Sequence, residues 1–402
     1  MKLIKKISAV VLVAVMALSV TACHKKGETA VKIGDVEFSS AYYMCALINA
    51  DMEGQQKVSE KQQQASSEAA AQTESASETS STEASSSEET TSSEVTEASE
   101  EVVLPETAST SSEEKIYLKA KIGGKEYSQW AKDKAIESLK KIAAYKIKCK
   151  ENKAEPKTDE LSQAEQYAEY YWSSYGYSQI FEPNGVSKAT YIEYMKDNCY
   201  SNAYFEKLYG KGGEKEVPAK DIKKCMKENY VAANVLDADF SQMEDADKKS
   251  TTTKFNDYYK KLKSGKMTFA QVYKDYNGQE IPDSTEEGKT KPKDKYATVL
   301  GSSETSYASD NYDTAVKMKT GEIKLIKKDN DAGYTIIIKQ DINKDPYFLE
   351  TLDMVIRSQL KNEEYNKDME AYAATLKANV IKRAVKPFKL KKIEYPETNA
   401  NG

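Results

Sequence analysis

The chain has 402 residues, among them 28 Tyr but only 1 His, and a formal net charge of −5. A lone histidine, His24, excludes a His-ligated metal site and a Ser-His-Asp or Cys-His catalytic pair in the folded part, so neither metal nor other cofactor is expected. The mildly acidic balance gives no basis for nucleic-acid binding, and the length admits more than one domain.

Lys2, Lys5 and Lys6 precede an apolar run from Ile7 to Val20, followed by Val20-Thr21-Ala22-Cys23. A basic end, a brief apolar stretch and small residues before a cut site make a secretory signal over residues 1–22. The run is too short to span a bilayer, and no second run is longer. Without those lysines the formal charge becomes −8. The cysteine after small residues resembles the lipobox of bacterial lipoproteins. That resemblance implies cleavage before Cys23, a lipid on it, and an extracytoplasmic protein held to the membrane by residues 23–29.

Residues 30–61 read as a strand and a helix. Ala30 to Phe38 alternates around Gly34-Asp35, a short strand or hairpin, and Ser39 or Ser40 can cap a helix from about Ala41 to Met52. Residues 62–114 are Ser, Thr, Glu and Ala with almost no large apolar side chain. Such a segment cannot offset its ordering entropy and is expected to be disordered, a helix through its Ala/Glu patches being marginal.

Residues 115–229 resume structure. Ile116, Leu118, Ala120 and Ile122 alternate before Gly123-Gly124. From Trp130 the period becomes helical through Ile136, Leu139, Ile142, Ala143 and Ile147. A second helix is predicted over Ser162 to Tyr175, a third from Ser187 to about Tyr209, and a fourth from Ala219 to Asn229 with Pro218 in its first turn. Residues 230–342 are mixed: a strand from Val231 to Phe240, helices over Thr253 to Lys263 and Thr268 to Tyr276, a turn-rich stretch from Gly278 to Thr305, a short helix over Tyr312 to Lys319, and a hairpin from Glu322 to Asp341. Residues 343–395 carry helices opened by Asp345-Pro346 and a possible last strand from Phe388 to Ile393; residues 396–402 are expected to be a disordered tail.

This order resembles extracytoplasmic foldases of the SurA/PrsA type. The matching stretches are Val31 to Phe38, Gly185-Val186-Ser187 with Tyr191, Val217 to Tyr230, Lys263 to Ala270, Met318 to Ile323, and Gly333 to Ile337. The resemblance implies an α+β, mostly helical chain: a helical SurA-like chaperone domain built from both chain ends around a small parvulin-like α/β domain. It also implies clients, namely unfolded or partly folded exported proteins. Parvulin isomerases usually carry histidine on the first and last strands, where this chain has Asn234 and Thr335, with Phe269 in the matching helix. Asn and Thr hydrogen-bond but cannot supply coupled imidazoles, so a degenerate pocket with weak or lost isomerase activity is expected.

The densest aromatic segment holds Tyr171, Trp172, Tyr175, Tyr177 and Phe181. At helical spacing some face the core and others could form a client-binding rim. Cys45, Cys149, Cys199 and Cys225 allow three disulfide pairings or four buried thiols, and both readings stand. Three functions compete: a lipid-anchored folding chaperone, an active prolyl isomerase with a modified pocket, and a non-chaperone surface lipoprotein. The last usually brings repeated βαβ patterns when it binds solutes, and these are missing. Oligomeric state is left open.

Overall fold

A computed structural model describes residues 28–75, 100–105, 115–283 and 290–396. The signal segment, Cys23, most of the Ser/Glu-rich stretch and the extreme C-terminus lie outside these residues. The chain is α+β and mostly helical. It divides into two compact units, residues 1–207 with 365–402, and residues 208–364.

In chain order the elements begin with strands β1 (Thr29–Ile33) and β2 (Val36–Ser39) and helix α1 (Ser40–Ser75). Short strands β3 (Val102–Val103), β4 (Lys121–Ile122) and β5 (Lys125–Glu126) follow. Then come helices α2 (Tyr127–Asn152), α3 (Thr158–Ser174), α4 (Tyr177–Phe181), α5 (Lys188–Lys196), α6 (Cys199–Tyr209) and α7 (Ala219–Asn229). The middle of the chain gives β6 (Tyr230–Asp239), α8 (Asp245–Lys263), α9 (Phe269–Asn277), β7 (Ala297–Gly301), α10 (Tyr312–Lys317), β8 (Ile323–Lys327) and β9 (Gly333–Gln340). The chain closes with α11 (Pro346–Thr375), β10 (Ala378–Val380) and α12 (Lys382–Val385).

In the first unit, β1 sits between β2 and β10 in an antiparallel sheet, so the two chain ends share one ladder. The first turns of α1 are buried nearly all round: Tyr42, Tyr43, Met44, Cys45, Leu47 and Ile48 join one core with Tyr127, Trp130 and Leu139 of α2. Such a helix is enclosed by its neighbours rather than laid on a surface. Its later turns are polar, with Val58 as their buried anchor.

That core contains a buried carboxylate. Asp51 is fully buried and accepts hydrogen bonds from Tyr395 Oη at 2.6 Å, Tyr127 Oη at 3.0 Å, Gln55 Nε2 at 3.1 Å and Tyr117 Oη at 3.4 Å. A buried carboxylate is tolerated only when its lone pairs are filled. Gly54, one turn on, lets α2 approach: a Cβ there would lie 2.6 Å from the Tyr127 hydroxyl and 2.7 Å from the Trp130 ring.

In the second unit the order β7-β6-β9-β8 forms one antiparallel sheet. Phe255, Tyr258, Leu262, Phe269 and Val272 of α8 and α9 cover one face, against Leu236 and Ile336. Ala315 of α10 and Met318 cover the other, against Val231, Ala233 and Ile337. The alternation along β6 and β9 is thus apolar on both faces, as a doubly covered sheet requires.

Several elements differ from the sequence reading. Helix α1 continues through Ser75, into the stretch expected to be disordered, because its Gln, Lys, Glu and Ala residues are good helix formers extending an already nucleated helix. At the far end of that stretch, β3 pairs with β4, and Glu100 accepts a hydrogen bond from Trp130 Nε1 at 2.8 Å. Ile116–Lys119 is a 3₁₀ turn rather than a strand. The third helix is two, α5 and α6, separated at Asp197, whose buried carboxylate pairs with Lys146 at 2.7 Å and accepts from Tyr42. The last strand is Ala378–Val380; Leu390–Lys392, inside the stretch read as a strand, is a 3₁₀ turn.

The compact units divide at 207/208 and 364/365, and the sequence reading set its domain limits at 229/230 and 342/343. Arg357 lies in the second unit. It is buried, forks onto Asp353 at 2.7 and 3.2 Å, and donates to the carbonyls of Tyr209 at 2.7 Å and Val217 at 3.3 Å. It thereby ties residues 208–217 and the first part of α11 together in the sheet-bearing unit.

Two measurements follow from this core. Burial raises the Asp51 carboxyl above its ordinary value, and the hydrogen bonds from Tyr395, Tyr127, Gln55 and Tyr117 oppose the rise. A carboxyl whose folded value lies above its unfolded value contributes stability that is full below the unfolded value and is lost as pH rises through the folded one. In urea unfolding, wild type should therefore lose stability relative to Asp51→Asn on going from about pH 4 to about pH 7. Asp51→Ala, which strands buried hydroxyls, should cost roughly 3 kcal/mol. An unchanged pH dependence in D51N would contradict this account. Separately, Cys45, Cys149, Cys199 and Cys225 are free and buried, and burial pushes the Cys149 thiol up to about 11. All four should stay unreactive to a thiol reagent in the native protein and react together in denaturant.

Candidate functional site

Two sets of residues qualify as sites, one in each unit. In the sheet-bearing unit, Asn234 of β6 and Thr335 of β9 do lie on neighbouring strands. The register pairs Asn234 with Ile338 and Asp237 with Thr335. Directly opposed residues share a face and the pleat alternates faces. Asn234 therefore belongs with Leu236, Ile336 and Ile338, and Thr335 with Val235, Asp237 and Ile337. The two residues sit on opposite faces of the sheet and do not form one pocket.

On the first face, Asn234 is 1% exposed. Its Nδ2 donates to Asp294 Oδ2 at 2.8 Å, and its Oδ1 accepts from Gln340 Nε2. Asp294 is itself positioned by the Tyr296 backbone N–H at 2.9 Å. Beside this chain stands an aromatic trio. Phe269 lies 6.1 Å from Tyr296 and 6.3 Å from Tyr273, and the two tyrosines are 5.2 Å apart between centroids. Thr268 sets Phe269 in place by opening α9 with a capping box to Gln271. Phe269 is thus on the Asn234 side. On the second face, Thr335, also 1% exposed, donates to Asp237 Oδ1 at 2.6 Å, and Lys328 holds the other oxygen of Asp237 at 2.7 Å.

Chemically, each end of the Asn234 amide has one protein partner, and the side chain is buried, so a substrate carbonyl or ring nitrogen has little access to the donor and acceptor sites that remain. Sequence reasoning missed Gln340 and Asp294. Gln340 carried a signal, being the polar residue that ends the alternation Ile336, Ile338. Asp294 lies in the turn-rich stretch and carried none.

In the helical unit, the aromatic segment divides as its periodicity requires. Trp172 and Phe181 are core, packed with Tyr191 at 5.4 and 5.0 Å between centroids. Tyr171 and Tyr177 are half-buried and stack on each other at 5.9 Å. Tyr175 is 62% exposed, and Tyr167 and Tyr170 are each 53% exposed. Tyr175 meets Tyr171 at 5.2 Å and Tyr170 at 5.5 Å. The result is a graded series of rings from the core to solvent. Gly176, with φ +71°, allows α3 to end and α4 to turn back so that Tyr177 reaches Tyr171. Of the candidate rim residues, Tyr175 is on the surface, Tyr171 and Tyr177 are intermediate, and Trp172 and Phe181 are not available. Tyr167 and Tyr170 belong to the exposed set instead. A groove of about 500 Å³ begins at Tyr167 and Tyr171 and runs past Met195 and Asn202. Among the described residues no cluster of His, Cys, Asp and Glu could hold a metal ion, and no helix is long and apolar enough to cross a membrane.

No protein-family model matches the chain, and no curated relative matches it. Among solved structures it is similar to the foldase protein PrsA of Lactococcus lactis, at 17% identity over 62% of this chain and 86% of that one, with a TM-score of 0.36. The PrsA foldase of Streptococcus pneumoniae is similar at 18% identity over 63% and 88%, TM-score 0.36. PrsA of Bacillus subtilis is similar at 17% over 70% and 92%, TM-score 0.31.

The Asn234 network has its own test. Asn234→Ala leaves Asp294 and Gln340 without their shared partner and should destabilise the protein by about 1–3 kcal/mol in urea unfolding. Thr335→Val, on the other face, loses one bond to an exposed aspartate and should cost under about 1.5 kcal/mol. Because the two act on opposite faces, the double variant should be additive within about 0.5 kcal/mol. Strong coupling between them would show that the positions form one network.

Proposed function

We propose that this chain is a membrane-anchored extracytoplasmic folding chaperone for exported polypeptides, with prolyl isomerase activity weak or lost. The observation that carries the reading is the exposed row of Tyr167, Tyr170 and Tyr175 on a rigid helical support. A client that is not yet folded offers varied apolar and polar groups, so its holder needs contacts that tolerate variety. Tyrosine presents a broad apolar ring, a hydrogen-bonding tip and only two rotatable side-chain angles. Tyr170 and Tyr175 also meet each other and half-buried Tyr171 in tilted or edge-on contacts, which limits the freedom they lose on binding.

The sheet-bearing unit supports the second half of the reading. Rotation about a peptide bond faces a barrier of about 18–20 kcal/mol. Lowering it needs a shaped site with polar groups free to follow the twisting amide. Asn234 is buried and held by Asp294 and Gln340, and Thr335 faces away. The membrane anchor rests on the sequence motif at Cys23 alone.

The chain from His24 onward should suppress aggregation of chemically unfolded citrate synthase. It should not accelerate cis-to-trans exchange in a proline tetrapeptide. Replacing Tyr167, Tyr170 and Tyr175 together by Ser should cut suppression at least several-fold without changing the thermal midpoint, since these rings are exposed. Clear acceleration of proline exchange would favour the active isomerase. Full suppression by the triple variant would remove the tyrosine row from the reading.

A further inference from the structure

The sheet that joins both chain ends stops at β10, and among the described residues β10 has a neighbour on one side only. The register shows which of its backbone groups are engaged. The Ile381 N–H donates to the Ala30 carbonyl at 2.8 Å, Val380 lies opposite Val31, and Asn379 lies opposite Lys32. In an antiparallel ladder the residues that face the partner alternate. Asn379, like Ile381, therefore faces β1. The N–H and C=O groups of Ala378 and Val380 point the other way, off the open edge.

A groove of about 690 Å³ borders that edge. Half of its lining is apolar, from Ile136 of α2, Ala373 and Ala374 of α11, and Ala378 and Val380 themselves, and half is charged, including the ion pair of Lys141 with Glu370 at 2.9 Å. Free edges are commonly blunted by a charge, a proline or a covering element. Ala378-Asn379-Val380 carries neither charge nor proline.

We propose that this groove takes up an extended polypeptide, which adds to the sheet as a fourth strand along β10 and turns alternate side chains toward Ile136 and Ala374. The row of outward donors and acceptors is matched by another strand's backbone and not by a helix or a small apolar ligand, and strand addition at an exposed edge is a recurring way to take up such peptides. The lining carries charges of both signs, which disfavours an anion or a lipid surface as occupant. An edge of three residues is short for a stable dimer. The proposal rests on the chaperone reading for its class of partner, and the tyrosine row takes no part in it.

The test uses the full chain in detergent and a fluorescein-labelled peptide of alternating Val and Thr, followed by anisotropy. A second peptide of the same sequence carries N-methyl groups on alternate residues. Ala378→Pro removes one outward N–H and leaves the ladder to β1, and Ala374→Arg crowds the groove from an exposed helical position that suits arginine. Circular dichroism and thermal unfolding check that both variants fold.

The unmethylated peptide should bind, and N-methylation should weaken binding at least about tenfold. Each variant should weaken it by about fivefold, the effect of roughly one hydrogen bond or a partly filled pocket. Suppression of citrate synthase aggregation should persist in both. Equal binding of the methylated peptide, or unchanged affinity in both variants, would overturn the proposal. A dimer dispersed by Ala378→Pro would also overturn it, by giving the edge to a second copy. Where aggregation suppression survives such a result, the strand-addition site fails alone. Where the wild type shows neither suppression nor peptide binding, the chaperone reading fails with it.

Discussion

The helical unit depends on one buried carboxylate. Asp51 gathers hydroxyl donors from Tyr117 and Tyr127 and from Tyr395, far away in sequence. Apolar packing alone is non-directional and would allow these segments to slide against α1. A carboxylate with at most a few acceptor directions does not, because every misplaced donor leaves a buried lone pair unfilled. The knot thus converts a general collapse around α1 into one arrangement. It places α2 along α1, with Gly54 giving the close approach, and it draws the C-terminal residues back onto the N-terminal helix. Asp197, paired with Lys146 and bonded by Tyr42, repeats the device farther along the same core.

Tyrosine serves two purposes, and position decides which. Tyr127 and Tyr395 use the hydroxyl to satisfy a buried acid. Tyr170 and Tyr175 use the ring on the outside, with half-buried Tyr171 behind them. This explains the preference for tyrosine over phenylalanine in the composition. Phenylalanine could fill volume in either place, but it could neither fill the lone pairs of Asp51 nor remain compatible with water on an exposed helix.

Periodicity made the long elements legible. The apolar spacing from Trp130 onward, the helix starts at Ser187 and Thr268, and the strand from Val231 to Phe240 all correspond to observed elements, because each has a local cause. The division of the tyrosine segment into inner and outer rings was legible as a question but not as an answer, since it depends on the reversal at Gly176. The break at Asp197 and the short strand at Ala378–Val380 were not legible. Each is imposed by a partner distant in sequence: Lys146 and Tyr42 in one case, β1 in the other. The facing of Asn234 and Thr335 was missed for a different reason. Matching motif positions says which strand a residue is on, whereas the register says which side of the sheet it sees, and one step of register exchanges the sides. Asp51, the residue with most influence on the unit, stood in plain view as an acid within Ala46-Leu47-Ile48-Asn49-Ala50-Asp51-Met52.

The sheet that joins β1 to β10 has a consequence for the order in which the exported chain folds. Passage across the membrane delivers β1 and α1 well before β10, with more than 340 residues between Ile33 and Ala378. The sheet-bearing unit, continuous from Leu208 to Glu364, has all its strands before β10 exists. It can close while the first unit still waits for its third strand and for Tyr395. During that interval the apolar turns of α1 and the hairpin of β1 and β2 have no completed core to enter. Non-local closure of this kind is slow and leaves apolar surface open to misassociation. A protein proposed to shelter unfinished chains is, by its own topology, an unfinished chain until its last residues arrive.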